Sequence, residues 1–384
     1  MPRAPKATAV PVPVPDPEPV ADPVPVTPAP PPPTPLTLVP EPPPADTAAR
    51  IAAAPHVGWA LVDILGTRLQ PALDALGQSI EHADDPVDAL RVTRVATRRL
   101  RAFTRVFAPA IGDKKANALN KRLRRITRAA GEIRQWDAHA ALLADPLRDA
   151  TDPLQRAALE HVAVWIRAGR EAAAERVAGK LRPGPRRKLA RELSDALDQV
   201  CGRLLREGDG AHDLVRPWLA ATLRPLADKV GPPVTRDDVE ALHRIRIGAK
   251  RSRYLLELTR PVITEEYRSI RRPAKRVQRT IGRYHDHALL QQLLTGRRDE
   301  LAADGHVTLA SALSPLIVET AAHRAEAYTA ARPWTEAFNG PVLAAFADAI
   351  DPPAAPAPTT TSPSPDTEPA SVGPAAPQSD DRST

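Results

Sequence analysis

The sequence predicts an all-α fold, helical bundles in two repeated halves between unstructured tails. Three observations carry this reading. Apolar residues recur at spacings of three and four through the middle of the chain, the signature of amphipathic helices. No stretch shows sustained two-residue alternation with β-branched enrichment, which strands would require. The 45 prolines of the 384 residues crowd into the two ends, 19 of them in residues 1–49 and 9 in residues 351–384. The remaining density is one that helical domains tolerate.

Residues 1–49 alternate Val and Pro at Val10 to Val14 and Val24 to Val26 and contain the run Pro30 to Pro33. That composition favours polyproline II without a packed core, a spacer or a docking segment for a proline-reading module. Residues 351–384 are acidic and rich in Pro, Ser and Thr, again a composition that cannot bury enough apolar surface to order itself. Between them, residues 50–350 form the folded domain, with one half at about 50–208 and the other at about 209–350.

The first helix is expected from about Ala53, where Trp59, Val62 and Ile64 lead to Leu69, Leu73 and Leu76. Turn-forming residues place breaks near residues 83–86, 108–113, 144–153, 182–185, 207–211, 231–235, 260–264 and 304–307. Short connections of this kind join neighbouring helices of a bundle.

The net charge is +7, but it is unevenly distributed. Residues 91–134 hold 14 Lys/Arg against 2 acids, and residues 244–283 hold 13 against 3. Basic charge gathered in this way points to an anionic partner. No apolar run approaches the roughly 20 residues of a spanning helix, and Met1 to Val14 lacks the apolar stretch of a secretory signal. No membrane partner is expected. The single cysteine, Cys201, excludes an internal disulfide and any multi-cysteine metal site and fits an intracellular protein. Alone in an expected helix, it reads as a small core residue.

The two basic segments are copies of one another. At an offset of 152 residues, Arg94 meets Arg246, Arg98 meets Lys250, Arg99 meets Arg251 and Arg101 meets Arg253. After a one-residue adjustment, Arg124 meets Lys275, Arg125 meets Arg276, Arg128 meets Arg279 and Gly131 meets Gly282. Each half then carries one Arg-rich helix, a break, and a second Arg-rich helix ending at a glycine placed like a C-cap.

Helical geometry of about 100° per residue puts Arg91, Arg94, Arg98, Arg101 and Arg105 on one face, opposite Val92, Val95, Leu100, Phe103, Val106 and Phe107. His243, Arg246, Lys250 and Arg253 repeat that stripe. Lys121, Arg124, Arg125 and Arg128 form a third, and Arg268, Arg272, Lys275, Arg279 and Arg283 a fourth. Stripes of like charge destabilise a helix, and the interspersed acids that would relieve them are nearly absent. Arg99 and Arg251 fall inside the apolar arc, so each should find a carboxylate or line a cavity that an anion enters.

These residues resemble the CHAD family, the conserved-histidine α-helical domain. The second half carries the pattern His243-x-x-Arg246-Ile247, Lys250-Arg251-x-Arg253-Tyr254 and Lys275-x-x-Gln278-x-x-Ile281-Gly282-x-x-His285-Asp286. The first half carries Arg94-Val95-Ala96-Thr97-Arg98-Arg99-Leu100-Arg101 and Gly131-x-x-Arg134-x-x-Asp137. The resemblance spans about residues 55–345. It implies two pseudo-symmetric four-helix bundles whose basic residues bind inorganic polyphosphate, with a cytoplasmic, granule-associated location. Two departures stand out: Arg91 replaces the first-half histidine, and Gln135 replaces the aspartate after Arg134. No Glu-x-Glu-x-Lys stretch of the triphosphate tunnel enzymes is present, so the resemblance is to a stand-alone CHAD protein.

Polyphosphate offers roughly one charge per phosphate along a flexible chain, which guanidinium forks and ammonium groups at repeated spacing would follow. On the resemblance and the stripes together, the expected binding residues are the stripe cations above other than Arg268, with Arg99, Arg134, His243, Arg251, Arg276 and His285. Nucleic acid is the rival ligand. Single-strand binders add aromatic stacking platforms, whereas aromatics are 3% of this chain, and Phe103 and Phe107 point to the core. Phosphate-binding loops, zinc-protease, hydrolase-elbow and dinucleotide motifs are absent, so no enzyme and no cofactor is expected. Asp137, His139, His285, Asp286 and His287 form the one set that could hold a divalent cation or serve a phosphohydrolase. The favoured roles are structural, with Asp137 and Asp286 holding arginines of the basic helices and His243 and His285 as partly charged phosphate donors.

Overall fold

The structure, a computed structural model, describes residues 44–78, 86–234 and 238–352. These residues form helices and no strand. The chain divides into two units, Met1–Ala48 and Ala49–Thr384. Of the first, only the start of helix α1 (Pro44–Ala52) is described, so the polyproline reading of the N-terminal tail and the reading of residues 353–384 lie outside the described residues. Helix α1 does cover residues 44–49, which the composition assigned to the tail.

The second unit continues through α2 (Val57–Gly77), α3 (Pro86–Val106), α4 (Ala108–Ile111), α5 (Asp113–Asp149), α6 (Pro153–Ala178) and α7 (Pro183–Glu207). A 3-10 turn at Gly208–Gly210 leads to α8 (Ala211–Val230), α9 (Val239–Leu258), a second such turn at Arg260–Val262, α10 (Tyr267–Ala303), α11 (Val307–Ala312), α12 (Ser314–Ala337) and α13 (Gly340–Ile350). Pairing repeats along this order. Helix α2 packs on α3 and α7, α3 on α5, and α5 on α6. Correspondingly, α8 packs on α9 and α13, α9 on α10, and α10 on α12. The long helices α5 and α10 contain 37 residues each.

Local chemistry sets the ends. Asp152 accepts from the backbone N–H groups of Leu154 and Gln155 and precedes Pro153, a sound start for α6. Asp238 accepts from Ala241 N at 2.7 Å to begin α9, and Asn339 accepts from Val342 N at 3.0 Å to begin α13. Gly231, at φ 74, ends α8 in a conformation that other residues resist.

Two of the expected features need correction. Gly131 and Gly282 do not end their helices; α5 and α10 run through them. The buried face continues beyond each glycine, at Ile133 and Leu143 in one helix and at Tyr284 and Leu290 in the other, so packing carries the helix past a residue of low propensity. The break expected over residues 144–153 falls between the end of α5 at Asp149 and the start of α6 at Pro153. Trp59, read as a buried position of the first helix, is 43% exposed.

One core draws Leu61, Leu65 and Leu69 from α2, Leu100 and Phe103 from α3, Leu193 from α7, Leu219 from α8, Leu256 from α9 and Leu343 from α13, so both halves contribute. Phe103 and Phe107 are fully buried in it, as their register demands. Cys201 packs against its edge, where burial raises the thiol to about 11. A second core lies where the far ends of α5 and α10 meet α6, α11 and α12, around Leu143, Leu159, Val162, Leu290 and Leu294. No helix among the described residues is long and apolar enough to cross a membrane.

The helix ends meet closely at two glycines. A Cβ on Gly58 would lie 2.1 Å from the carbonyl oxygen of Leu204, and one on Gly340 would lie 2.6 Å from that of Ala227. Gly58→Ala and Gly340→Ala are therefore expected to destabilise by about 1–3 kcal/mol each, as overpacking does. Gly66→Ala, whose Cβ meets nothing within 4 Å, should stabilise by up to about 1 kcal/mol. Urea midpoints of the three variants check this, and equal effects at all three would contradict the close approach.

Candidate functional site

The two basic helices α3 and α9 pack against one another, with α5 beside α3 and α10 beside α9. From residue 89 to residue 108 no position is exposed. The stripe Arg91, Arg94, Arg98, Arg101 and Arg105 is therefore half-buried, not a solvated face. Arg246, Lys250, Arg251 and Arg253 are half-buried likewise, whereas His243 is exposed. The other two stripes lie outside: Lys121, Arg124, Arg125 and Arg128 on α5 are exposed, as are Arg272, Lys275, Arg276, Arg279 and Arg283 on α10. Deep cations thus come from α3 and α9, and exposed ones from α5 and α10.

Two adjoining cavities follow the α3–α9 seam, and a third, between α8 and α9, adjoins them to extend a basic trench. The first, of about 580 Å³, draws on all four helices: Arg91, Arg94 and Arg98 from α3, Gly131, Arg134 and Gln135 from α5, Arg246 and Lys250 from α9, and His285 and Asp286 from α10. The second, of about 170 Å³, shares Arg98 and Lys250 with it and adds Arg101, Arg105, Arg251 and Tyr254. The third, of about 430 Å³, shares Arg251 with the second and adds Lys229, His243 and Arg244. Several expected residues line none of the three. Arg253 donates to Gln278 Oε1 at 2.7 Å, Arg276 lies over the Trp334 ring at 5.4 Å, and the exposed stripe residues of α5 and α10 line none of them. Arg124 still acts electrostatically on Arg101, Arg105 and Arg251.

Reading stripes alone misses Lys229, Tyr254, Gln135 and Asp286. Lys229 sits in the last turn of α8, and only the packing of α8 on α9 brings it to the seam. Gly131 lines the first cavity from the middle of α5, and a Cβ there would meet no protein atom within 4 Å.

Counter-ions are distributed unequally. Away from the trench, several half-buried arginines are paired. Arg68 and Arg99 share Glu257 at 3.1 and 3.2 Å, Arg170 holds Asp137 at 2.7 Å, Arg216 holds Glu266 at 3.0 Å, and Arg122 holds Glu192. Buried Arg186 donates to the carbonyls of Leu181 and Ala75. In the trench, Arg91 pairs with Asp88 at 2.7 Å, and Arg101 donates to Asn120 Oδ1 at 3.0 Å. Arg94, Arg98, Arg105, Arg134, Arg246, Lys250 and Arg251 take part in none of the ion pairs or hydrogen bonds found among the described residues, and the buried Nε atoms of Arg94 and Arg246 lack an acceptor. The two arginines of the apolar arc thus take one option each: Arg99 finds a carboxylate and Arg251 lines the cavities.

The expected roles of the acids and histidines change accordingly. Asp137 holds Arg170 of α6, not an arginine of the basic helices, because α6 packs on that face of α5. His139 is buried against Trp136, with ring centroids 5.8 Å apart, and His287 lies against His323 at 5.4 Å. Among the described residues no three His, Cys, Asp or Glu side chains gather as a metal site would need. His243 and His285 lie 5.8 Å apart. Burial, then the charges of Arg246 and Lys250, lower both, His285 to about 4 with His243 adding to its shift. Both are thus shifted towards the neutral form relative to the partly charged donors expected.

The same two causes act on the cations. Burial first, then Arg98, Arg246, Arg94 and Arg253, push the Lys250 ammonium down to about 6. Burial and neighbouring arginines bring Arg94, Arg101 and Arg105 to about 10. Burial raises Asp286, against the pull of Arg246, His287, Arg134 and Lys250.

An all-α protein organised around a half-buried, largely unneutralised cationic seam is the class that the fold and site define. Residues 67–295 match the CHAD domain model, and the chain belongs to that family. It is similar to the crystal structure of the CHAD domain from the plant Ricinus communis, with 22% identity, coverage of 75% of this chain and 94% of that one, and a TM-score of 0.43. No curated protein matches the chain.

The lysine shift predicts a pH dependence of stability. Lys250 titrates near 6 when folded and near 10.5 in the reference state, so between those values the unfolded chain binds more protons and stability rises with pH. Below about pH 6 the penalty is complete. Lys250→Met should remove this part of the slope, so its unfolding midpoint exceeds that of the unaltered protein by more at pH 6.5 than at pH 9.5. Parallel pH profiles for the two proteins would contradict a buried, uncompensated Lys250.

Proposed function

We propose that this protein is a non-enzymatic binding module for inorganic polyphosphate, which lies along the α3–α9 trench. The carrying observation is the set of six half-buried arginines, with Lys250 among them, from α3, α5 and α9, without a carboxylate in ion-pair contact. Two like charges about 4 Å apart in an effective dielectric of about 20 repel by about 4 kcal/mol. A fold that gives carboxylates to half-buried arginines elsewhere, such as Arg68, Arg99, Arg170 and Arg216, and none to these is suited to a polyanion. The deep residues Arg91, Arg94, Arg98, Arg101, Arg105, Arg134, Arg246, Lys250 and Arg251, with His243 and His285, then grip the phosphates, while the exposed cations of α5 and α10 draw the chain in.

The reading includes a finer architecture. Residues 50–208 and 209–350 are two pseudo-symmetric four-helix bundles, supported by the repeated pairing order and the equal length of α5 and α10. Arg94 and Arg246 are then equivalent residues facing one ligand. The location that goes with this function is cytoplasmic and associated with polyphosphate granules. Nucleic acid fits less well, because Tyr254 is the one aromatic ring in the trench walls and it already lies near the Arg253 guanidinium at 5.9 Å. A phosphohydrolase built on Asp137 fits less well too, since Arg170 occupies that carboxylate.

Replacing Arg94, Arg98, Arg246 and Lys250 together with Ala should weaken binding of long-chain polyphosphate by orders of magnitude and flatten its salt dependence, by roughly one unit of slope per lost phosphate contact. Helicity by circular dichroism should persist. RNA at matched phosphate and salt should compete poorly; displacement of polyphosphate by RNA through these same residues would overturn the ligand assignment.

Binding should also take up protons. An anion beside Lys250 and His285 restores their charged forms, so affinity should rise as pH falls from about 8 towards 6. Titration calorimetry in buffers of different ionisation enthalpy should show net proton uptake near pH 7.5, much reduced in Lys250→Met. Release of protons would contradict the placement of the polyanion against this lysine.

A further inference from the structure

The trench is built from two copies of one pattern, yet at one counterpart position one wall carries an acid and the other does not. In the internal repeat Gln135 and Asp286 are counterparts, and both line the first cavity, one from α5 and the other from α10. The neighbouring counterparts Arg134 and His285 line it as well. No other carboxylate lines any of the three cavities. A lone half-buried acid in a site for polyanions calls for an explanation, because it repels what its neighbours attract.

The chemistry of the phosphate chain supplies one. An internal phosphate has a single, strongly acidic oxygen and brings no proton near neutral pH. A terminal phosphate has a second ionisation at about 6, as phosphomonoesters do, and so holds a P–O–H donor for part of the time. An ionised carboxylate only accepts. It meets an internal phosphate as a like charge but can share one proton with a terminal phosphate, as two carboxylates in close contact share one.

We propose that Asp286 makes one end of the trench a seat for a terminal phosphate, sharing a proton with it, so that a phosphate chain lies with one of its two equivalent ends there. The inference rests on the polyphosphate reading above. The charged groups around the seat are Arg94 from α3, Arg134 from α5, Arg246 and Lys250 from α9, and His285 and His287 on α10 itself. Burial, which raises Asp286, favours holding the proton between carboxylate and phosphate. On the opposite wall Gln135 keeps an uncharged amide, so the counterpart position lacks this selectivity. Terminal phosphates of linear polyphosphate and of nucleotides share the chemistry.

The test compares a ligand with ends and one without: linear tripolyphosphate and cyclic tetrametaphosphate, at matched ionic strength near pH 7, with ATP as a third arm. The unaltered protein should prefer the linear chain by about tenfold, the effect of one charge-assisted hydrogen bond. Asp286→Asn should bring that ratio towards one by binding the cyclic ligand more tightly. Gln135→Asp, at an exposed position, should raise the ratio. If attraction by the cations alone sets the preference, both variants move the other way: Asp286→Asn raises the ratio and Gln135→Asp lowers it. Either of those results, or an unaltered protein that does not distinguish the two ligands, overturns the inference while leaving polyphosphate binding intact. Failure of long-chain polyphosphate to bind overturns both readings. ATP binding comparable with tripolyphosphate, and weakened likewise in Asp286→Asn, would assign the seat to terminal phosphates of either source; ATP binding far weaker would confine it to the inorganic chain.

Discussion

The packing of α3 against α9 is the constraint on which the rest depends. Each helix presents arginines or lysines on the face that meets the trench and leucines, alanines or phenylalanines on the face that meets the core. Closing the apolar faces on the shared core brings the cationic faces together, whatever their mutual repulsion. Apolar burial at about 25 cal/mol per Å² is the term large enough to hold them there, and Leu100, Phe103, Ile245 and Leu256 supply it at full or nearly full burial. The long helices α5 and α10 then close the sides and carry the chain on to a second core, away from the trench.

Two populations of positive charge follow from this arrangement. The cations of α5 and α10 remain hydrated and reach outward, suited to long-range attraction that salt screens. Those of α3 and α9 are half-buried for the most part, and burial lowers the proton affinity of Arg94, Arg101, Arg105, Arg246, Arg251 and, most of all, Lys250. The same burial that makes these groups costly in the empty protein makes their contacts with an anion strong, because little water is left to displace.

Much of this was legible in the sequence. Helical class, the repeat, and the four stripes follow from spacing alone, and the register that put Phe103 and Phe107 in the core also put Arg94 and Arg98 away from it. What was illegible depends on which helix faces which. Gly131 and Gly282 look like helix ends because glycine usually terminates helices, yet buried residues on either side carry α5 and α10 through them. The partner of Asp137 was misassigned because Arg170 is remote in sequence. Glu257 was overlooked as the acid that neutralises Arg99, although it stands in the repeat where the first half has Arg105. Lys229 reaches the trench only through the packing of α8, and periodicity does not encode that packing.

The unpaired cations also bear on how such a protein changes over generations. Any carboxylate that arose on a neighbouring helix within reach of Arg94, Arg246 or Lys250 would relieve repulsion and stabilise the empty fold. It would also occupy the groups that the proposed polyanion would need. On the proposed function, selection for heat resistance and selection for ligand binding pull this seam in opposite directions, and a relative whose trench arginines had all acquired acidic partners would be a sturdier protein without a seat for a polyanion.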